Sequence, residues 1–289
     1  MDRKALYADV TNQVVKQIEA GAAEWRMPWH AIAETGQPVN VTTHKAYRGG
    51  NHMWLSMVAQ ANGWGGHWAT YKQWQSISAQ VRRGERATFG VHWSTIVRQT
   101  EDGDQLGERR LVPHAFSVFN SVQVDGWEAP REGPRDTPER LRDADAFFTA
   151  IGADVRHGGN QAAYIPAGDV ILLPELEQFT SAVDYYATSA HEHSHWSGHP
   201  RRLARDLSGR FGSDSYAAEE LVAELSAAFT CAHLGISTTP RPDHAAYLAS
   251  WLRVLRADPS ALFTVASKAQ AATDFLVGLA SAQVLEVAA

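Results

Sequence analysis

The sequence predicts an α+β chain of two domains, residues 1–127 and 139–289, with a linker over 128–138. Three observations carry this. Charge is divided: residues 1–127 hold 13 Lys/Arg against 11 Asp/Glu, net +2, whereas 128–289 hold 13 against 21, net −8. Aromatics are divided too, since eight of the ten tryptophans (Trp25, Trp29, Trp54, Trp64, Trp68, Trp74, Trp93 and Trp127) precede residue 128. Between the halves, EAPREGPRDTP has three prolines, one glycine, five charges and no apolar periodicity, which is linker composition. At 289 residues and 44% hydrophobic, the chain can bury one large core or two modest ones. The single cysteine, Cys231, excludes an intrachain disulfide scaffold and a thiolate metal cluster. No apolar leader follows Met1 and no run of about 18 apolar residues occurs, so a cytoplasmic protein without a membrane partner is expected.

The elements follow from local pattern. Leu6, Val10, Val14 and Ile18 recur every four residues and predict an amphipathic first helix ending at Gly21. Further helices are expected over roughly 51–61 and, opened by Thr70, roughly 71–79. Phe89, Val91 and Trp93 alternate, as do Ala115, Val118 and Phe119 less cleanly, so two strands flank a polar loop over 99–110. In the second half, 163–165 and 170–173 predict strands joined by a turn at Pro166, Ala167, Gly168 and Asp169. Four helices are expected after them, over roughly 182–197, 216–234, 243–256 and 259–280. Asp258-Pro259 is a cap followed by a first-turn proline.

The sharpest chemistry is His191-Glu192-His193-Ser194-His195, an HExxH motif on the first of these four helices. Ser181 can cap that helix, Asp184 stands three residues on, and Gly198 and Pro200 end it. Residues four apart lie about 40° apart around a helix, so His191 and His195 share a face and can bind one Zn²⁺. Glu192 then stands beside the metal as the catalytic base for a water. His193 and His199 are expected to be solvent-facing or structural.

Zinc needs a third protein ligand. A metzincin pattern is nearly present, with Gly198 in place, but Arg201 occupies the final His position and every methionine precedes the motif. The gluzincin alternative takes its ligand from a second helix. Here Glu220-Leu-Val-Ala-Glu224 follows 25 residues after His195, offering two carboxylates one turn apart. Glu220 is expected as the ligand and Glu224 as the group that orients a ligand histidine. The reverse assignment and Glu219 stay open. Tyr216, His199 and His244 are candidates for stabilising an oxyanion.

Residues 40–98 interleave aromatics with cations, seven Lys/Arg against the single acid Glu85. Single-stranded nucleic acid asks for this mixture, because bases stack on aromatic faces while cations follow the phosphates. The contact candidates are Lys45, Tyr47, Arg48, Trp68, Tyr71, Lys72, Trp74, Arg82, Arg83 and Arg86. The competing use of a tryptophan is in the core, where Trp74 with Ile77 would make one buried helix face. No base-reading motif such as a helix-turn-helix or a finger is present.

The chain resembles the ArdC-type antirestriction proteins of conjugative plasmids and phages. In the first half the resemblance rests on Ile18-Glu-Ala-Gly21, Trp25-Arg-Met-Pro-Trp29, Pro38-Val-Asn40, Lys45-Ala-Tyr47-Arg48-Gly49-Gly-Asn51, Trp68-Ala-Thr70, Gln73, Val81-Arg-Arg-Gly84-Glu85 and Val118-Phe-Asn120. In the second it rests on Tyr185-Tyr-Ala-Thr188, the HExxH with Trp196-Ser-Gly198-His199, Arg202-Leu203, Glu219-Glu220-Leu-Val-Ala-Glu224-Leu and Trp251-Leu. Two positions depart from the family pattern: Gly50 replaces an aliphatic residue, and Ala23-Glu24 stands where Pro-Trp is common.

The resemblance implies an N-terminal single-stranded-DNA-binding domain, a C-terminal zincin-like (gluzincin-type) metallopeptidase domain and protection of incoming DNA from host restriction. Two functions are expected to compete. One is a Zn²⁺ metallopeptidase guided by DNA, whose protein substrate the sequence does not name. The other is a single-strand-binding protein whose metal site is structural or vestigial. A metal-dependent nuclease is a weaker reading, because such sites favour carboxylate-rich Mg²⁺ coordination over a helical His pair.

Overall fold

The computed structural model describes residues 37–97, 109–130, 136–207, 214–237 and 244–287, with Tyr7, Ala8, Val10, Thr11, Asn12, Val15, Lys16 and Glu19; at 93–97, 109–113, 214, 244–250 and 284–287 only the backbone is described. The described positions between 7 and 19 are helical, with Val10 and Val15 buried. Leu6, Val14, Ile18, Gly21, Ala23-Glu24, 25–29, Arg98, the loop 99–108 and linker residues 131–135 lie outside the described residues.

Beyond that helical stretch, the described residues of the first half form strands and two α-helices. β1 (Val39–Asn40) pairs parallel with β2 (His67–Ala69), which runs antiparallel to β5 (Arg109–Asn120). β5 forms a long hairpin with β4 (Thr88–Val97), in register from Thr88↔Val118 to Val97↔Arg109. β3 (Gln80–Val81) and β6 (Val124–Asp125) make a separate two-stranded ladder. Helix α1 (Gly49–Asn62) stops at Gly63, whose φ of 65° lets its N–H turn back to Ala59 and Gln60. α2 (Tyr71–Ser76) opens with a capping box between Thr70 and Gln73. The expected helix to residue 79 ends three residues early, because Ser78 takes φ 62° and turns the chain into β3.

The second half begins with α3 (Pro138–Ile151), an element that apolar periodicity does not bring out of the sequence. Its ends are nonetheless written in the chain: Thr137 caps Arg140 N, Pro138 opens the first turn, and Gly152 closes it at φ 73°. A three-stranded sheet follows in the order β7 (Asp154–His157), β9 (Val170–Leu173), β8 (Ala163–Ile165). β7 is parallel to β9 and β8 antiparallel, with Tyr164 opposite Ile171. Four helices complete the fold: α4 (Ala182–Ser197), α5 (Asp214–Leu234), α6 (His244–Ala257) and α7 (Ala261–Val287). α4 has the expected limits, while α7 runs past the expected residue 280.

Packing explains where these elements sit. α3, α4 and the inner face of the sheet share a core of Phe147, Phe148, Ile151, Tyr164, Ile171, Leu173 and Trp196. Helices from both halves share another, in which Met53 and Met57 of α1 and Val91 of β4 meet Leu225 and Phe229 of α5, Trp251 of α6 and Leu262 of α7. The motif Arg48-Gly49-Gly50-Asn51 makes this joint. Arg48 is ion-paired with Asp274, Gly49 N donates to Gln270 Oε1 at 2.9 Å, and Asn51 exchanges two hydrogen bonds with the Val91 backbone at 2.7 and 2.8 Å. Gly50 leaves room for the ring of Phe263, since a Cβ there would stand 2.4 Å from it. The Gly50 departure from the family pattern is therefore matched by an aromatic on α7. Among the described residues no helix is long and apolar enough to cross a membrane.

Candidate metal centre and nucleic-acid surface

α4 is fixed at its start by Ser181, whose hydroxyl accepts from Asp184 N at 3.1 Å, and its last two turns are enclosed by neighbours. This places His191 and His195 on the face toward α5, with their Nε2 atoms 3.1 Å apart. Glu220 of α5 reaches both: its two carboxylate oxygens lie 3.5 Å from His191 Nε2 and 3.5 Å from His195 Nε2. Two imidazole nitrogens this close repel through their lone pairs unless a cation or proton lies between them. One nitrogen from each histidine and a Glu220 oxygen lie within 4.8 Å of one another and can hold a divalent ion.

The remaining glutamates have separate places. Glu224 Oε1 stands 3.1 Å from His191 Nδ1, and Glu219 Oε1 stands 3.4 Å from His195 Nδ1. The structure thus puts Glu220 between the imidazoles and one of the other two acids behind each ring. Arg205 holds Glu219 in turn, through Nη2 at 2.8 Å and Nε at 3.0 Å, and also donates to Ser194 O and Ser197 Oγ at the end of α4. Burial works to raise the Glu220 pKa, but the His191 hydrogen bond and the charges of His195 and His191 prevail and hold it at about 2. For Glu219, burial is likewise outweighed by hydrogen bonds from His195 and Arg205, so it stays lowered. Both acids are carboxylates at neutral pH, as ligation and histidine orientation require.

Glu192, next to His191 on α4, faces β8. Its Oε2 accepts the N–H of Tyr164 on β8 at 2.8 Å, and it is 3% exposed. His193 is also buried, with Nδ1 2.8 Å from Ser189 O and its ring against Phe148; burial holds its pKa down at about 4, so it is a neutral packing residue. His199 is half-buried, and its Nδ1 accepts from Arg201 N. Tyr216 hydrogen-bonds Glu220, while the His244 side chain lies outside the described residues. Arg205, Tyr164 and Asp169, which shape the site, carry no motif in the sequence. The spacing between them is set only by folding.

The candidate nucleic-acid contacts divide sharply. Trp68 and Trp74 are corrected: both are 0% exposed, in cores with Leu55 and Val118 and with Val81 and Val124 respectively. A buried tryptophan withdraws about 200 Å² from water, worth roughly 5 kcal/mol. Stacking on a base returns only about 1–3 kcal/mol, so neither ring leaves its core to meet DNA. Arg48 is exposed but engaged at the joint, and Arg82 pairs with Glu85 at 2.9 Å. Lys45, Tyr71, Lys72, Arg83 and Arg86 are exposed, and Tyr47 is half-buried. Asn40 holds one of these groups in place: its Nδ2 donates to Tyr47 Oη at 3.1 Å and also to Gln73 Oε1 at 3.0 Å, tying the Lys45 loop to α2.

Residues 142–268 match a family model described as zincin-like metallopeptidase, the class of fold to which α4, α5 and their sheet correspond. Residues 4–124 match the N-terminal domain of anti-restriction factor ArdC, and the chain belongs to the ArdC-type antirestriction family. It is similar to an uncharacterised protein, y4eC, of Sinorhizobium fredii, with 47% identity over 94% of this chain and 91% of that one. It is also 37% identical to a DNA primase TraC of Escherichia coli, over 98% of this chain but 28% of the primase. Among solved structures, the metal-free antirestriction ArdC protein from the R388 plasmid superposes with TM-score 0.78 at 38% identity, covering 96% of this chain and 98% of that one. Its Mn(II)-bound form does so at 36% identity and TM-score 0.78, over 95% and 98%.

Proposed function

We infer that the chain protects incoming plasmid or phage DNA from host restriction, binding single strands through residues 1–127 and carrying a Zn²⁺ metallopeptidase site in residues 139–289. The observation that carries the enzymatic half is the convergence of His191, His195 and Glu220, with Glu192 on the adjoining position of the same helix. The two imidazoles and one carboxylate suit Zn²⁺. A divalent ion held there would polarise a peptide carbonyl and acidify a water. Glu192 takes the proton from that water and passes it to the leaving amine. β8, the end strand of its sheet and the neighbour of Glu192, offers main-chain groups against which an extended peptide can lie. Glu224 and Glu219 keep the imidazoles oriented toward the ion.

For the binding half, Lys45, Tyr47, Tyr71, Lys72, Arg83 and Arg86 are the retained contacts. They need no base-specific geometry: phosphates are met by exposed cations, and Tyr71, 41% exposed, offers a face for stacking. Glu192→Gln separates the two halves of the reading. The variant is expected to bind zinc and single strands like the wild type, with affinity that falls steeply as salt is raised, and to lose peptide hydrolysis by about 10³-fold or more. If it still shields DNA from restriction in cells, protection comes from strand binding and not from proteolysis. Equal, salt-insensitive binding of single strands and duplex would remove the stacking-and-phosphate account.

A further inference from the structure

The loop after α4 and the turn between β8 and β9 meet in a polar knot that the hydrolytic reading does not use. Arg202, with a side chain 11% exposed, lies over the Trp196 ring with its guanidinium carbon 3.8 Å from the centroid, and its Nε donates to Trp196 O. Its Nη1 donates to Asp169 Oδ2 at 3.0 Å, and its Nη2 is bonded to Asp169 Oδ1 and, at 3.3 Å, to Tyr164 Oη. Tyr164 Oη in turn donates to Asp169 Oδ1 at 2.9 Å. Every acceptor of the knot therefore has a donor, and Asp169 sits at the turn in a left-handed conformation, φ 52°.

One end of the knot is the partner of Glu192, and the other stands on the same helix. Trp196 follows Glu192 by one helical turn, so both side chains project from the same face of α4. Tyr164 supplies the N–H that Glu192 accepts. A planar guanidinium that grips both therefore fixes the distance between α4 and the β8 backbone at the point where Glu192 bridges them. A lysine could not stack on Trp196 and fork onto Asp169 at once.

We propose that Arg202 is a positioning residue for Glu192, acting through Asp169 and Tyr164 to hold the β8 backbone N–H against the Glu192 carboxylate. The proposal rests on the hydrolytic role inferred for Glu192, but its structural content does not need hydrolysis to be detected. The Asp169 carboxyl supports it: the Arg202 hydrogen bond, against the opposing effect of burial and with help from Tyr164, holds its pKa down at about 2, so the grip persists throughout neutral pH.

The test uses the full chain loaded with Zn²⁺ and follows amide hydrogen exchange by residue, together with zinc affinity and, where a peptide is cleaved, kcat and KM separately. Arg202→Met is expected to speed exchange of the Tyr164 amide at least tenfold while α4 and α5 amides and zinc affinity stay within twofold of wild type. With a cleaved peptide, kcat falls 10- to 100-fold with KM within twofold, and Arg202→Lys does not rescue it. Unchanged exchange at Tyr164 overturns the proposal, as does a loss of zinc affinity with Tyr164 still protected. If Arg202→Met loosens α4 as a whole, Tyr164→Phe, which removes only the hydroxyl, decides: local loss of protection supports the proposal and wild-type protection overturns it. If the wild-type chain cleaves no peptide while Arg202→Met still gives this exchange pattern, the hydrolytic reading is overturned and the positioning stays intact.

Discussion

Each histidine of the helical pair turns one nitrogen toward Glu220 and the other toward a carboxylate of its own, Glu224 for His191 and Glu219 for His195. These three acids look alike in the sequence, crowded within one and a half turns of α5, and only their positions relative to α4 separate them. The separation has a measurable consequence. Glu220→Ala is expected to lower zinc affinity by more than about 100-fold, whereas Glu224→Gln and Glu219→Gln lower it by about 10- to 100-fold, as groups that orient a ligand histidine do. Competition with a chromophoric chelator would measure all three, and a Glu219→Gln loss larger than that of Glu220→Ala would reassign the ligand. The histidines themselves were legible because i and i+4 on one helix is a local relation. Arg205 was not, because a buried arginine is recognisable only by the acid it meets.

At the scale of elements, the long helices were readable and the short pieces were not. Strands β1, β3 and β6 have two residues each, too few for alternation to register. α3 begins at Pro138, inside the charged and proline-rich stretch that reads as a linker, so composition masked its caps. The first turn of α1 illustrates how a neighbouring element can reverse a local preference. Glycine in a helix costs about 0.5–1 kcal/mol relative to alanine, so Gly50→Ala by itself favours α1. Against α7 the added Cβ would press into the Phe263 ring at 2.4 Å. Gly50→Ala is therefore expected to destabilise the chain by about 1–3 kcal/mol, and to become neutral or stabilising in a Phe263→Ala background. Denaturant melts of the four proteins give the sign directly; an unaltered gain in both backgrounds would show that the ring is free to move away.

Over the whole molecule, the division visible in charge and aromatics is crossed by a shared core. Met53, Met57 and Val91 from the first half pack with Leu225, Phe229, Trp251 and Leu262 from the second, and α7 lies against both α1 and the glutamate helix α5. Stability gained at the metal site should therefore be felt in the first half. Zinc at a thousand times its Kd adds about 4 kcal/mol to the folded state. We expect the loaded chain to melt in one transition by probes in either half, and a chelator to lower both midpoints together. A first-half midpoint indifferent to chelation would show that the joint does not couple the halves. The net charge of −6 belongs to this scale as well: it sums a cation-rich stretch at 40–98 and an acidic second half, and so says little about either surface.

By itself, the sequence determined what depends on neighbours along the chain: the His191–His195 pair, the caps of α2 and α4, the β4–β5 hairpin and the mixed architecture with its family membership. Tertiary structure alone decided what depends on which faces meet. It set Glu220 between the imidazoles and Glu219 and Glu224 behind them, and it placed Arg48 at a joint between helices. It also took Trp68 and Trp74 out of solvent. The physical reason is common to these cases. Helical spacing and capping are written in residues a few positions apart, whereas a tryptophan or a glutamate suits a core, a metal site or a surface equally well until packing chooses its surroundings.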